Sequence, residues 1–393
     1  MKIKRIKLLA LIVLVHFSLV LLAACFPRES SEIPRGWSAT GVPTPEPMQI
    51  NMRVVAVYAT GRGFAGTHAI TEDGQLWSWG GHAQDSDFRP VRNTEFEEVI
   101  AISNSGRHRM IIASDGTLWG RGSNEHGQVG VGRIGRPPSV ISETIIMEDV
   151  IAVSTGHSHT MAITSDNVLW GWGRNTWGEL GDETAEDRLS PVKIMEDVIA
   201  VSAGFGQTVA ITSDNVLWGW GRRMGRSDDG TSEDSFIPIR LMENVMSASV
   251  DPLWIITSDN VLRYSIGGDP IKEDVIAVSG GTNHTMAITS DGSLWAWGRN
   301  RAGLNAGMLG NGTFRDSPEP IKIMENVVAV SASHAHTLAI TSDGSLWAWG
   351  DNSSSQLGIG TDRGEYEERP LRGVFPKAWL SPVLVMEYVP EGS

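Results

Sequence analysis

Seven times along this chain a Ser-Asp-Gly-like turn precedes a Leu-Trp-x-Trp-Gly-like run, and that repetition limits the possible folds more than any other feature. The turn aspartates are Asp73, Asp115, Asp166, Asp214, Asp259, Asp291 and Asp343, spaced by 42, 51, 48, 45, 32 and 52 residues. Periods in this range are those of propeller blades. The repeat fills nearly everything from Val54 to Pro370 without a linker-like break, so the 393 residues are expected to form one large domain rather than two or three.

Each unit reads Val-Ile-Ala-Val-Ser, a glycine-containing bend, His-Thr-x-Ala-Ile-Thr, the Asp turn, Leu-Trp-x-Trp-Gly, a variable loop and a Pro-x-x-Ile-Met-Glu-Asp/Asn segment, best seen over Val150 to Asp197 and Val275 to Asn326. The β-branched and alternating runs predict strands. Asp-Gly or Asp-Asn between two such runs is a hairpin turn, because glycine and asparagine tolerate positive φ. The seven aspartates are therefore read as structural turn residues rather than as a ring of catalytic carboxylates. Paired tryptophans two positions apart, such as Trp170 and Trp172, share one strand face and are expected to pack between blades. An aromatic surface for glycans is the competing reading, but eleven tryptophans in one repeat segment fit a packed core better. Trp177 stands apart in a variable loop and reads as an exposed interface anchor.

The fold class expected is all-β, a seven-bladed β-propeller with a shortened or irregular fifth blade. Asp259 and Asp291 are only 32 residues apart, and Arg263 and Ser265 stand in place of the tryptophan pair. The domain boundaries read as 1-24 signal peptide, 25-48 Pro/Ser-rich tether, 49-388 propeller and 389-393 tail. Met48 to Arg53 or Val374 to Tyr388 is expected to complete a blade with the other end of the chain.

The N-terminus carries Lys2, Lys4, Arg5 and Lys7 ahead of an apolar run from Leu8 to Leu22, then Leu22-Ala23-Ala24-Cys25. This order is that of a secretory signal, and its end looks like a bacterial lipobox with Cys25 as the lipidated residue. Cys25 is the only cysteine, so an intramolecular disulfide is excluded. Proline and serine between Phe26 and Met48 describe a tether. Cleavage before Cys25 shifts the net charge from −14 to about −18, which argues against a nucleic-acid partner. The chain is expected outside the cytoplasm of a bacterium, membrane-bound through lipid, as a monomer.

His334-Ala335-His336-Thr337 through Gly350-Asp351-Asn352 and Gln356-Leu357-Gly358 resembles the repeat of the regulator of chromosome condensation family, and the similarity spans the propeller. The resemblance implies a seven-bladed propeller of four-stranded blades. It also implies one of two activities: protein binding, as in similar secreted bacterial propellers that include β-lactamase inhibitors, or guanine nucleotide exchange on a small GTPase, as in the eukaryotic nuclear members. The export signal weighs against exchange.

His108, His159, His284 and His336 recur at one position, where Gly66, Gln207 and Pro252 replace them elsewhere, and recurrence favours structural histidines over metal ligands or bases. No phosphate loop, Gly-x-Ser-x-Gly elbow or His-Glu-x-x-His pair is found, so no catalytic residue, metal or cofactor is assigned. A carbohydrate-binding or hydrolytic envelope protein is a further alternative, but Glu367 and Glu368 lie in a flexible-looking loop and are assigned no acid and base roles. Variable loops on a rigid scaffold favour recognition, and the residues expected to meet an unknown envelope protein are Arg174, Asn175, Trp177, Arg222, Arg223, Arg226, Arg299, Asn300, Arg301 and Asn352. Arg222, Arg223 and Arg226 are also expected to make a basic notch between the fourth and fifth blades for an acidic partner.

Overall fold

The structure, a computed structural model, describes residues 46–60, 66–80, 88–96, 98–134, 140–226, 232–302, 305–360 and 378–390. Cys25 and the signal and tether segments lie outside the described residues, as do Glu367 and Glu368.

Seven antiparallel sheets follow one another along the chain, and no helix occurs among the described residues. Blade 3 shows the pattern: Val150–Thr155, His159–Thr164, Leu169–Gly173 and Arg188–Met195 pair in that order. First strands of successive blades touch, so they line the axis and the fourth strands form the rim. The other blades run over 54–92, 99–147, 198–242, 245–272, 275–324 and 327–388. The propeller anticipated from the repeat is thus the fold.

Alternation of strand direction gives the ring two faces. The connections between first and second and between third and fourth strands emerge on one side, the loop face. The Asp turns emerge on the other. There, Thr164 Oγ1 donates to Asp166 Oδ1 at 2.6 Å, and the same bond joins Thr71 to Asp73, Thr289 to Asp291 and Thr341 to Asp343. At blade 2 Ala113 replaces the threonine, and Asp115 accepts from Thr117 N at 2.9 Å instead. Asn167, Asn215 and Asn260 take φ of 63° in these turns, the left-handed region asparagine tolerates.

Blades are joined by a repeated set of bonds, which explains two of the recurring sequence positions. The serine closing Val-Ile-Ala-Val-Ser accepts from a backbone N–H of the next blade, as in Ser103 with Thr155 N, Ser154 with Ala203 N and Ser331 with Ala59 N. In four of the five pairs the second tryptophan is buried against its neighbour and donates Nε1 to a carbonyl of the preceding blade's loop. Trp172 reaches Gln128 O, Trp220 reaches Glu179 O, Trp349 reaches Met308 O and Trp79 reaches Gln356 O, at 2.9–3.0 Å. Indole packing supplies the area and the N–H fixes the register.

Blade 5 is the short one, with strands of 5, 4, 3 and 3 residues. Among the described residues no such loop carbonyl accepts from Trp297 of blade 6, and Trp254 meets its ring edge-on at 5.6 Å. Both ends complete the last blade. Ala378–Tyr388 is its fourth strand, and Met48–Ile50 adds a fifth, parallel to it, with Met48 opposite Met386 and Ile50 opposite Tyr388.

Candidate interaction face

Four loops between third and fourth strands share one internal frame. In blade 3, Asn175 Oδ1 accepts from Leu180 N at 2.9 Å while Nδ2 donates to Asp182 Oδ1 and Thr184 O. Asn124, Asn300 and Asn352 receive the equivalent amide of Val129, Leu309 and Leu357. All four side chains are fully buried. This corrects the expectation that Asn175, Asn300 and Asn352 meet a partner: their amides satisfy loop backbone groups that would otherwise be orphaned in a tight turn.

A second position makes blade 3 different. Gln128 and Gln356 accept through Oε1 from the N–H two residues earlier, that of His126 or Ser354. Glu179 does the same for Trp177 N at 2.7 Å, but it offers no N–H of its own and stays buried. Burial pushes its carboxyl above the usual carboxylate range, only partly offset by the hydrogen bonds and by Arg174. Arg174 Nε stands 3.7 Å from its free oxygen. Blade 3 differs from blades 2 and 7 at two positions, Arg174 for Ser123 or Asp351 and Glu179 for Gln128 or Gln356, and the pair sets a guanidinium beside a buried carboxyl.

That guanidinium lies on the Trp177 ring, 4.1 Å from its centroid, and Arg222 of blade 4 packs on the same indole at 4.8 Å. Trp177 is half-buried, which corrects its reading as a solvent-facing anchor. Its ring lies over Gly206, where a Cβ would come within 2.7 Å. Phe205, at the tip of the blade 4 hairpin, stands 6.0 Å from Trp177 and 4.7 Å from His157 at the blade 3 tip. The tips are tied together: His157 N donates to Gly204 O, and Phe205 N to Asp251 of blade 5. Phe205 is 49% exposed despite these contacts. Burial, with Arg107 and Arg174 nearby, holds the His157 imidazole below its ordinary range. Phe205 and His157 escaped the sequence reading. Their signal was an aromatic ring three residues after the serine of Ala-Val-Ser in both blades, where blade 2 has Gly106 and blade 6 has Thr282.

The remaining candidates scatter. Arg223 is exposed and its backbone N bonds Asp234. The side chain of Arg226 lies outside the described residues. The expected notch between blades 4 and 5 is not what Arg222 forms, because it leans the other way, onto blade 3. Arg299 and Arg301 are exposed on a separate loop of blade 6, where Arg301 stacks on Phe314.

The repeated histidines are held between blades. His108, His159 and His284 place Nε2 2.7–3.0 Å from Thr160, Thr208 and Thr337 of the next blade. Among the described residues no group of three His, Cys, Asp or Glu side chains is arranged to hold a metal ion.

Comparison with known proteins places this geometry. The regulator of chromosome condensation (RCC1) repeat matches residues 115–163, 166–211, 291–340 and 343–387, and a second model of that repeat matches 150–178, 275–303 and 327–356. Each long match begins at a turn aspartate; the first three straddle two blades and the fourth stays within the last blade, while the span around the short fifth blade is unmatched. The ultraviolet-B receptor UVR8 of Arabidopsis thaliana is 30% identical over 300 residues, 72% of this chain and 62% of the receptor. The human E3 ubiquitin-protein ligase HERC2 is 27% identical over 81% of this chain, which spans 6% of the ligase. The crystal structure of Prp20p from Saccharomyces cerevisiae, described with its binding to Gsp1p and histones, superposes with a TM-score of 0.60 at 15% identity, covering 87% of each chain.

Proposed function

Because this chain belongs to the regulator of chromosome condensation repeat family, we propose that it is a non-catalytic, lipid-anchored extracytoplasmic scaffold that binds another protein through its loop face. The observation that carries this reading is the patch of Phe205, Trp177 and His157, framed by Arg174 and Arg222, on loops that the blades hold rigid. Aromatic and arginine side chains dominate binding energy at protein interfaces, and here their rotamers are already restricted. The binding of Gsp1p and histones described for Prp20p supports a protein as the partner class. The Leu22-Ala23-Ala24-Cys25 motif supports the anchor.

Site-specific photocrosslinking in the source cells tests the binding. A benzophenone at position 205 should capture a discrete protein, and one at position 259, on the turn face, should not. Equal capture from both faces, or none from either, rejects the reading. Palmitate labelling that persists in Cys25→Ala rejects the anchor.

A further inference from the structure

Resting on that reading, we propose that the patch shared by blades 3 and 4 takes an acidic polypeptide segment with an apolar residue beside its carboxylates. Two guanidiniums are held on one indole, and stacking occupies their flat faces; Arg174 Nε donates to Thr176 Oγ1 at 3.3 Å, which leaves its terminal N–H groups and the edge of Arg222 for an acceptor. Among the described residues Arg222 makes no ion pair, and the carboxylate nearest Arg174 is Glu179 at 3.7 Å, beyond hydrogen-bonding reach. Exposed Arg107 adds positive charge close to His157. Asp251, at the patch edge, is engaged by Phe205 N.

Cations gathered on a chain of net charge −14 form a local exception, and a carboxylate-bearing segment complements it. Phe205 supplies the apolar half of the site, since its half-exposed ring borders the arginines. A nucleic acid fits less well, because its regularly spaced phosphates would run past the patch onto acidic surface. Carboxylates bound by preordered guanidiniums gain charge-assisted hydrogen bonds at little side-chain entropy cost.

The test uses the full chain and fluorescence anisotropy with three probes: a short labelled peptide of Asp and Glu around one Phe, its Asn/Gln counterpart, and a single-stranded DNA of equal charge. The acidic peptide should bind best, and binding should weaken as salt rises. Arg222→Glu should weaken it about tenfold or more, and Phe205→Ser should also weaken it, with both variants melting like the parent. Any of four results overturns the proposal: equal binding of the Asn/Gln peptide, tighter binding of DNA, an unaffected Arg222→Glu variant, or a self-association that Arg222→Glu abolishes. If the acidic peptide fails while position 205 still crosslinks a protein, the partner chemistry falls and the scaffold reading stands. Loss of the crosslink removes the scaffold reading itself.

Discussion

His336 Nε2 stands 3.2 Å from Thr67 Oγ1, joining the last blade to the first across the seam of the ring. Thr67 already donates its hydroxyl proton to Gln356 O at 2.7 Å, so the imidazole must be the donor in this pair. That fixes the proton on Nε2 and leaves Nδ1 to accept from Ser333 Oγ at 2.8 Å. The same logic applies where Thr160 and Thr337 donate to Gln128 O and Met308 O, so these histidines are Nε2 donors, and burial keeps them neutral.

Stability should therefore fall as acid is added. Burial holds His108 and His336 at about 3 and His284 at about 4, against an ordinary 6.5. A depressed folded pKa means that the unfolded chain binds more protons below about pH 6.5, so stability is full above that value and declines toward pH 4. Each histidine contributes a slope of about 1.4 kcal/mol per pH unit. In urea titrations at several pH values, His336→Gln should remove one such share, glutamine being what blade 4 carries at this position as Gln207.

Thr67→Val should cost about 1–3 kcal/mol, because it strands the His336 N–H in a buried seam and leaves the Gln356 carbonyl with Trp79 Nε1 as its one remaining donor there. Thr285→Val, at the same position of blade 6, should cost less, since the preceding blade offers Pro252 where the histidine would be. Equal midpoint shifts for the two in chemical denaturation would argue against the histidine–threonine pair as a seam device.

Gly358→Ala should be far worse than Gly267→Ala although both glycines have φ near 70°. At Gly358 the new Cβ would lie 2.5 Å from Trp79 Nε1, displacing the indole that closes the ring, whereas at Gly267 it meets nothing within 4 Å. Backbone strain alone is worth about 1 kcal/mol. The clash should add roughly 2 kcal/mol more at Gly358. Thermal melts of the two variants compare them directly.

Glu179→Gln should stabilise the protein at neutral pH. The folded state raises this carboxyl's pKa through burial, so the ionised form is penalised in the fold, and the penalty grows as pH rises through the folded value. Glutamine keeps the acceptor for Trp177 N and the blade 2 and blade 7 loops already use it. The gain should vanish in acid, and Arg174, without its counterion, should loosen its stack on Trp177, visible as a change in near-ultraviolet circular dichroism.

The scaffold was legible because its signals are local. Turn aspartates, β-branched runs and tryptophans two apart recur within a single unit, and the 32-residue spacing alone marks the short fifth blade. The patch was legible only in part, because it is assembled between units. Trp177 looked solitary since its companions, Phe205 and Arg222, belong to the next blade. Asn175 looked like a ligand for the opposite reason: a polar residue in a variable loop is indistinguishable in sequence from one that holds the loop together from within. The histidine–threonine partnership is a relation between blades too, visible only once the ring order is known.

The parallel Met48–Ile50 strand determines how the ring can be held from outside. It runs with the last rim strand, so at Glu46 the chain heads up the edge of blade 7 toward the loop face, where Arg89 Nη1 bonds its carbonyl. In a closed ring of seven, blades 3 and 4 lie across the axis from blade 7. Any attachment made through the residues before Glu46 therefore grips the disc at one point of its circumference and leaves the aromatic patch at the far end of a diameter. Pivoting about that grip would sweep the patch through a wider arc than any other part of the face.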